Sequence, residues 1–222
     1  MASQQFVDSL LKEIVQPGVQ RLMETRYFSE LREGKLSKKR LQGFAVQHYL
    51  HNVSINKGFA LCMVKNAHIP DLYAHFEHQF TEETPHPDLA KKFGLAVGLT
   101  EEDFKTIIPV FECLAHTSAV IRGMLLGAPG ENRAGALVNE TMVCRYSEEF
   151  NTYLHKNYHL SDDACEFFSV HSVADKEHTR LAAEVIMRYA QTPLEQQAAQ
   201  VNARNMVRFK IAKFDGIYES YN

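Results

Sequence analysis

The segment FFSVHSVADKEHTRLAAEVI places His171, Asp175 and His178 at successive spacings of four and three residues. A helix advances about 100° per residue, so with His171 at zero, Asp175 falls near about +40° and His178 near about −20°. The three side chains share a strip about 60° wide, and Lys176 and Glu177 point away from it. Phe168, Ala174, Leu181, Ala182 and Val185 lie on or beside the same strip, which makes it the core-facing side. Three ionisable groups set where burial is expected are costly unless they are paired. Two imidazoles and a carboxylate converging on one volume suit an ion of the iron or zinc type. An arbitrary HxxxDxxH is more often a His–Asp contact or a wet surface; here the apolar strip favours the metal.

The preceding helical stretch offers a partner. Ala136, Leu137, Glu140, Val143, Cys144, Ser147 and Leu154 step every three or four residues, and Glu140 lies inside this apolar stripe. A lone Glu there is more often an edge residue reaching water. With the His–Asp cluster on the next helix, it reads as a shared carboxylate. A third source is QFTEETPHPDLAKKFG, where Glu83 and His86 stand three apart around a helix start and the prolines restrict the backbone. Taken alone this is a polar turn, and Glu77 and Glu82 compete with Glu83 for the role. The candidate ligand set is Glu83, His86, Glu140, His171, Asp175 and His178, with Glu140 and Asp175 also expected to act in catalysis. Three carboxylates against two divalent ions leave the site nearly neutral, which favours a dinuclear centre.

Helices must carry these residues. Phe6, Leu10 and Ile14 repeat every four residues until Pro17-Gly18, where a break is expected. Ser37 is an N-cap candidate for a long helix to about Asn66, and Ile69-Pro70 opens a shorter one through Phe80. Thr84-Pro85 reads as a cap and first-turn proline for a helix ending near Gly98. Thr100-Glu-Glu-Asp is expected to start a helix running past Phe111 to about Leu125, followed by a loop at Gly127, Pro129 and Gly130. Two long helices, roughly 131–158 and 162–189 with Ser161 capping the second, precede a last one opened by the capping box Thr192-Pro-Leu-Glu. No alternating strand pattern or internal repeat is evident. The expected fold is all-α, a single helical-bundle domain spanning residues 1–222.

Composition narrows the function classes. The chain has 222 residues, 45% hydrophobic and 23% charged, with a net charge of −3. Its densest basic cluster is Lys38-Lys39-Arg40, too short to track a phosphate backbone, so nucleic-acid binding is not expected. Four widely spaced cysteines without a CxxC pair suit reduced, buried thiols. The start MASQQFVDSLLKEIV lacks the basic and apolar regions of a signal peptide, and no stretch approaches the ~20 apolar residues that span a bilayer. A cytoplasmic protein without membrane insertion is expected. A homodimer is the base-rate expectation for assembly.

Glu140, the HSVADKEH run from His171 to His178, and the ExxH of Glu83–His86 resemble the haem-oxygenase-like diiron oxidases and oxygenases, which share a fold with TenA-type thiaminases and pyrroloquinoline-quinone synthase. The likeness extends from about Leu36 to Tyr189, and EHQFTEETPHPDL is similar to the fatty-acid decarboxylase that forms terminal alkenes. The resemblance implies a bundle of seven or eight helices, two irons between them, and O₂ as co-substrate. It puts Glu83, His86 and His171 on one iron, Asp175 and His178 on the other, and Glu140 between them. In that family the helix of Asp175 is flexible and the second iron labile. The activity it implies is oxidation of a small carboxylate substrate such as a fatty acid, an amino acid or an aromatic acid, with oxidative decarboxylation one form.

Two rivals stand beside this reading. A TenA-like hydrolase would need the aspartate of a YxxQDxxY stretch, but FAVQHYLHN places His48 there, and Cys144 is better read as a small buried hydrophobe. A metal-free binding module on the same bundle is the other. His48 reads as a satisfied core histidine; His51, Tyr49 and Tyr146 are substrate or supporting candidates. Phe44, Phe59, Phe76, Phe80 and Phe111 could line a cavity but are better read as core. Arg122, Arg145 and Lys57 are cations able to meet a carboxylate, with a surface position as the default.

Overall fold

The computed structural model describes residues 4–222, apart from the side chains of residues 173–176. All regular structure among the described residues is helical. Helix α1 (Gln4–Leu10) passes through a π-helical turn (Leu11–Val15) into α2 (Gln16–Met23). The break expected at Pro17-Gly18 does not occur. The wider turn, closed by Gln16 N–H donating to Leu11 O, brings Pro17 into the first turn of α2, where a missing amide leaves no bond unmade.

Helix α3 (Arg26–Glu33) ends on Gly34 at φ 69°, a left-handed position that suits glycine. Helix α4 (Lys38–Lys65) starts as expected, with Ser37 Oγ accepting from Arg40 N–H at 3.2 Å. Helices α5 (Pro70–Glu83) and α6 (His86–Ala96) meet at Thr84-Pro85. Thr84 is not the cap of α6; its hydroxyl donates to Phe80 O at 2.6 Å and closes α5.

The helix expected from Thr100 is a single 3-10 turn, with Asp103 accepting from the amide and hydroxyl of Thr100 at 2.7 Å each. Pro109 disfavours helical backbone at Ile108, and α7 (Phe111–Leu126) begins only after it. Helix α8 (Pro129–Tyr158) takes Pro129 and Gly130 into its first turn rather than leaving them in a loop. Ser161 caps a turn instead of the helix, accepting from Ala164 N–H at 3.3 Å, so α9 (Glu166–Tyr189) starts later than expected. Helix α10 (Pro193–Ser220) opens on the Thr192/Glu195 capping box.

Helices α8 and α9 fold back on each other along their length, α10 packs on α8, and α4 packs against α5, α6 and α7. An aromatic core joins them: Tyr27, Phe28, Phe44, Phe93, Tyr146, Phe150, Phe167, Phe168 and Phe214 are all buried. Phe150 and Phe168 stack with centroids 4.4 Å apart. Phe167 and Phe168 lie one turn before His171, so their packing sets the rotation of α9 and the direction of that histidine. A smaller cluster of Ile55, Phe59, Cys62, Leu72, Phe76, Met124 and Val185 ties α4, α5, α7 and α9 together. Phe111, a cavity-lining candidate, is instead 76% exposed, because it stands at the solvent-facing start of α7. No helix of the described residues is long and apolar enough to cross a membrane.

Candidate metal centre

The site is assembled from the corner between α5 and α6 and from side chains within α8 and α9. Glu83 is the last residue of α5 and His86 the first of α6. The two-residue corner turns both side chains the same way, with Glu83 Oε2 2.5 Å from His86 Nδ1. Glu140 comes from the middle of α8, and His171 and His178 from α9. The rings of His86 and His171 lie 4.3 Å apart. His178 Nδ1 is 3.6 Å from Glu140 Oε2 and 3.9 Å from Glu83 Oε1. His86, His171 and His178 are buried, and the side chains of Glu83 and Glu140 are only 14% and 15% exposed.

These residues form two groups in which each contributes one ligand atom and all the atoms lie within 4.8 Å of one another. The first is Glu83, His86 and His171; the second is Glu83, Glu140 and His178. Glu83 belongs to both, whereas the family resemblance puts Glu140 between the metals. Asp175 lies outside the described residues.

The electrostatics call for a cation. Among the described residues neither Glu83 nor Glu140 has a Lys or Arg ion-pair partner; the groups beside them are imidazoles. Burial works to raise the Glu83 carboxyl, but the hydrogen bond and charge of His86, with His171 and His178, outweigh it and hold it below the usual range. Burial, then His86, pushes His171 down to about 4, so its ring is neutral near pH 7. Its Nδ1–H donates to Phe167 O at 2.6 Å, which leaves Nε2 as the lone-pair nitrogen. Carboxylates and neutral imidazoles form the donor set that suits iron, and the residues present fit it.

Of the competing carboxylates, Glu77 is exposed on α5. Glu82 is 42% exposed, and its Oε2 accepts from His178 Nε2 at 2.7 Å and lies 3.3 Å from His78 Nε2. It stands on the outer side of His178, opposite Glu83 and Glu140.

Beside the cluster lies a cavity of about 70 Å³ whose lining includes Glu83, Glu140 and His171 together with His48, Arg133 and Lys210. His48 is buried, as expected of a core histidine, with Lys213 Nζ 3.0 Å from its Nδ1. Burial, then Lys213, keeps it neutral. His51 Nδ1 is 2.8 Å from Thr117 Oγ1. Tyr49 packs on Phe104, and Arg122, Arg145 and Lys57 lie away from the cavity lining. Cys144 faces a surface groove with Val19 and Met23, not this cavity. Sequence reasoning missed Arg133, Lys210 and Lys213, each at least 99% buried. Their signal was present: Arg133 sits seven residues before Glu140, and Lys210 follows Ala199, Ala203 and Met206 on one stripe.

The sequence model of a family described as iron-containing redox enzyme, haem-oxygenase-like, matches residues 42–210. A 4-aminobenzoate synthase of Nitrosomonas europaea is 29% identical, with 98% of this chain and 91% of that protein aligned. Among solved structures, a haem-oxygenase-like domain of unknown function from Shewanella denitrificans superposes with TM-score 0.86 at 17% identity, over 97% of this chain and 93% of that one. A TenA homologue from Pseudomonas syringae gives 0.84 at 13% identity, over 96% and 93%. At these identities the two structures speak for the fold alone.

Proposed function

The chain belongs to the family of iron-containing redox enzymes with a haem-oxygenase-like fold, and from that premise we propose that it is a non-haem diiron enzyme that uses O₂ to oxidise a small carboxylate-bearing compound. The observation that carries the reading is the pair of metal-sized groups meeting at Glu83. Three candidate carboxylates leave a net charge of about +1 with two divalent ions and about −1 with one, so the shared position of Glu83, not the charge count, is what favours two. Bound iron would supply the electrons that reduce O₂.

The chain's own residues supply the rest. Phe167 O, accepting from His171 Nδ1–H, fixes the ring so that Nε2 faces the cluster. Glu82 holds His178 from the outside. Phe59, Met124, Val143 and Met206 in the cavity wall keep water from the reacting centre. A cavity of about 70 Å³ has room for several water-sized groups, which favours a short or ring-shaped substrate over a long acyl chain. The Nitrosomonas relative is named for 4-aminobenzoate, a ring bearing a carboxylate and an amine, and we assign the same chemical class to this site.

The test is iron and oxygen stoichiometry. Protein loaded anaerobically with Fe(II) is expected to retain close to two irons per chain and to consume O₂ on exposure to air. The chain is further expected to restore growth of a bacterium auxotrophic for 4-aminobenzoate. Protein that holds no iron and does not speed O₂ uptake would be a metal-free binding module instead.

A further inference from the structure

Besides Glu83 and Glu140 the lining of the cavity includes Arg133 of α8, which is essentially excluded from solvent. A guanidinium buried to this degree is normally matched by a carboxylate, because an uncompensated buried charge is strongly destabilising. Arg133 has no carboxylate within ion-pair distance among the described residues. Its Nε donates to Asn132 Oδ1 at 2.7 Å, and its Nη1 to Gln79 Oε1 and to His75 Nε2, the latter at 3.3 Å. The guanidinium lies over the Phe76 ring, 4.9 Å from its centroid. Every one of these partners is neutral: burial, then the charge of Arg133 itself, presses the His75 imidazole down to about 3. Nη2 takes part in no hydrogen bond among the described residues.

Donors are also in surplus around it. The amide nitrogens Asn52 Nδ2 and Gln79 Nε2 are buried with no hydrogen-bond partner, and Asn52 lines the same cavity. Gln79 cannot be turned to relieve this, since its oxygen already accepts from Arg133. Buried donors left unmet are costly, so the surroundings of Arg133 are short of acceptors. Burial, opposed by the charges of Cys62 and Glu140, lowers Arg133 to about 10, and it remains cationic at neutral pH.

We propose that Arg133 is the anchor for the carboxylate of the substrate, with Asn52 as a supporting donor. A carboxylate matches the planar fork of a guanidinium and answers its charge, which neutral ligands do not. Arg133 and Glu140 are seven residues apart on one face of α8, about 10 Å along its axis. A ring held by its carboxylate at Arg133 therefore presents its far end to the Glu83–Glu140–His178 group. Neutral His75 and Gln79 hold the fork in place without competing for its charge. The assignment rests on the proposed function for the identity of the ligand class, but it concerns binding alone and needs no metal.

The test uses metal-free protein and calorimetric titration with 4-aminobenzoate and with 4-aminobenzamide, which keeps the ring and amine but removes the charge. The acid is expected to bind at least about tenfold more tightly than the amide, the loss that follows from a charged hydrogen bond. Equal binding of the two, or no binding of the acid at millimolar concentration, overturns the proposal. Arg133→Gln is expected to weaken the acid by a similar factor and to leave the amide unchanged, and Arg133→Lys to fall between. Should Arg133→Gln fail to fold, the acid–amide comparison on the native chain still decides. Iron content is measured separately. Acid binding without iron uptake would sink the diiron reading and spare Arg133, whereas iron uptake with equal binding of acid and amide would do the reverse.

Discussion

Glu83 Oε2 lies 2.5 Å from His86 Nδ1, tying the last residue of α5 to the first of α6. The other oxygen of the same carboxylate faces His178 at 3.9 Å. One side chain therefore stands between both metal-sized groups. Glu83→Ala is expected to strip iron from both positions. Of the candidate ligands Glu82 meets His178 alone, at its outer nitrogen, and Glu82→Gln is expected to weaken one position by about 10–100-fold, as loss of an outer partner does. Elemental analysis of the two variants separates the roles. Equal loss in both would put the shared ligand at Glu82.

Metal binding should also be visible as stability. Fe(II) added anaerobically at about 100 times its dissociation constant is expected to stabilise the fold by about 2.7 kcal/mol, read as a higher urea midpoint and reversed by a chelator. His171→Ala should fold and lose this response. Persistence of the full shift in that variant would remove His171 from the site.

The buried histidines make the metal-free protein sensitive to acid. His171 is pushed down to about 4 by burial, then His86, and His75 to about 3 by burial, then Arg133. In the unfolded chain each titrates near about 6.5. Above that pH both states are neutral at these rings and their contribution is complete. As pH falls from about 6.5 towards about 3, the unfolded state takes up protons that the folded state refuses, so stability is lost. His48, His51 and His116, lowered by burial first, act in the same direction. Urea midpoints of metal-free protein should fall steadily between pH 6.5 and 4; a flat profile would contradict neutral burial of these rings.

Phe150 tests the aromatic core that aims α9. It is fully buried, stacked on Phe168 at 4.4 Å and packed against Phe44 at 4.8 Å. Phe150→Ala is expected to cost about 3–5 kcal/mol and, by loosening α9, to lower iron retention. Unchanged stability would mean that the core closes over the gap.

The sequence by itself determined the helical class and the polar residues hidden on apolar stripes. Period alone set His171 and His178 on the core side of α9 and Glu140 on that of α8, because rotation along a helix is a local property. The caps at Ser37 and Thr192 were legible for the same reason. Tertiary structure decided what periodicity does not carry. Pro17 stayed inside a helix because a π turn absorbed it, and Glu83 rather than Glu77 reached the histidines because of where α5 ends against α9. Likewise, the stripe that buries Arg133 could be counted from the sequence, but the absence of a carboxylate beside it could not. Charge compensation is settled by what the other helices bring within a few ångströms, and that depends on how they pack.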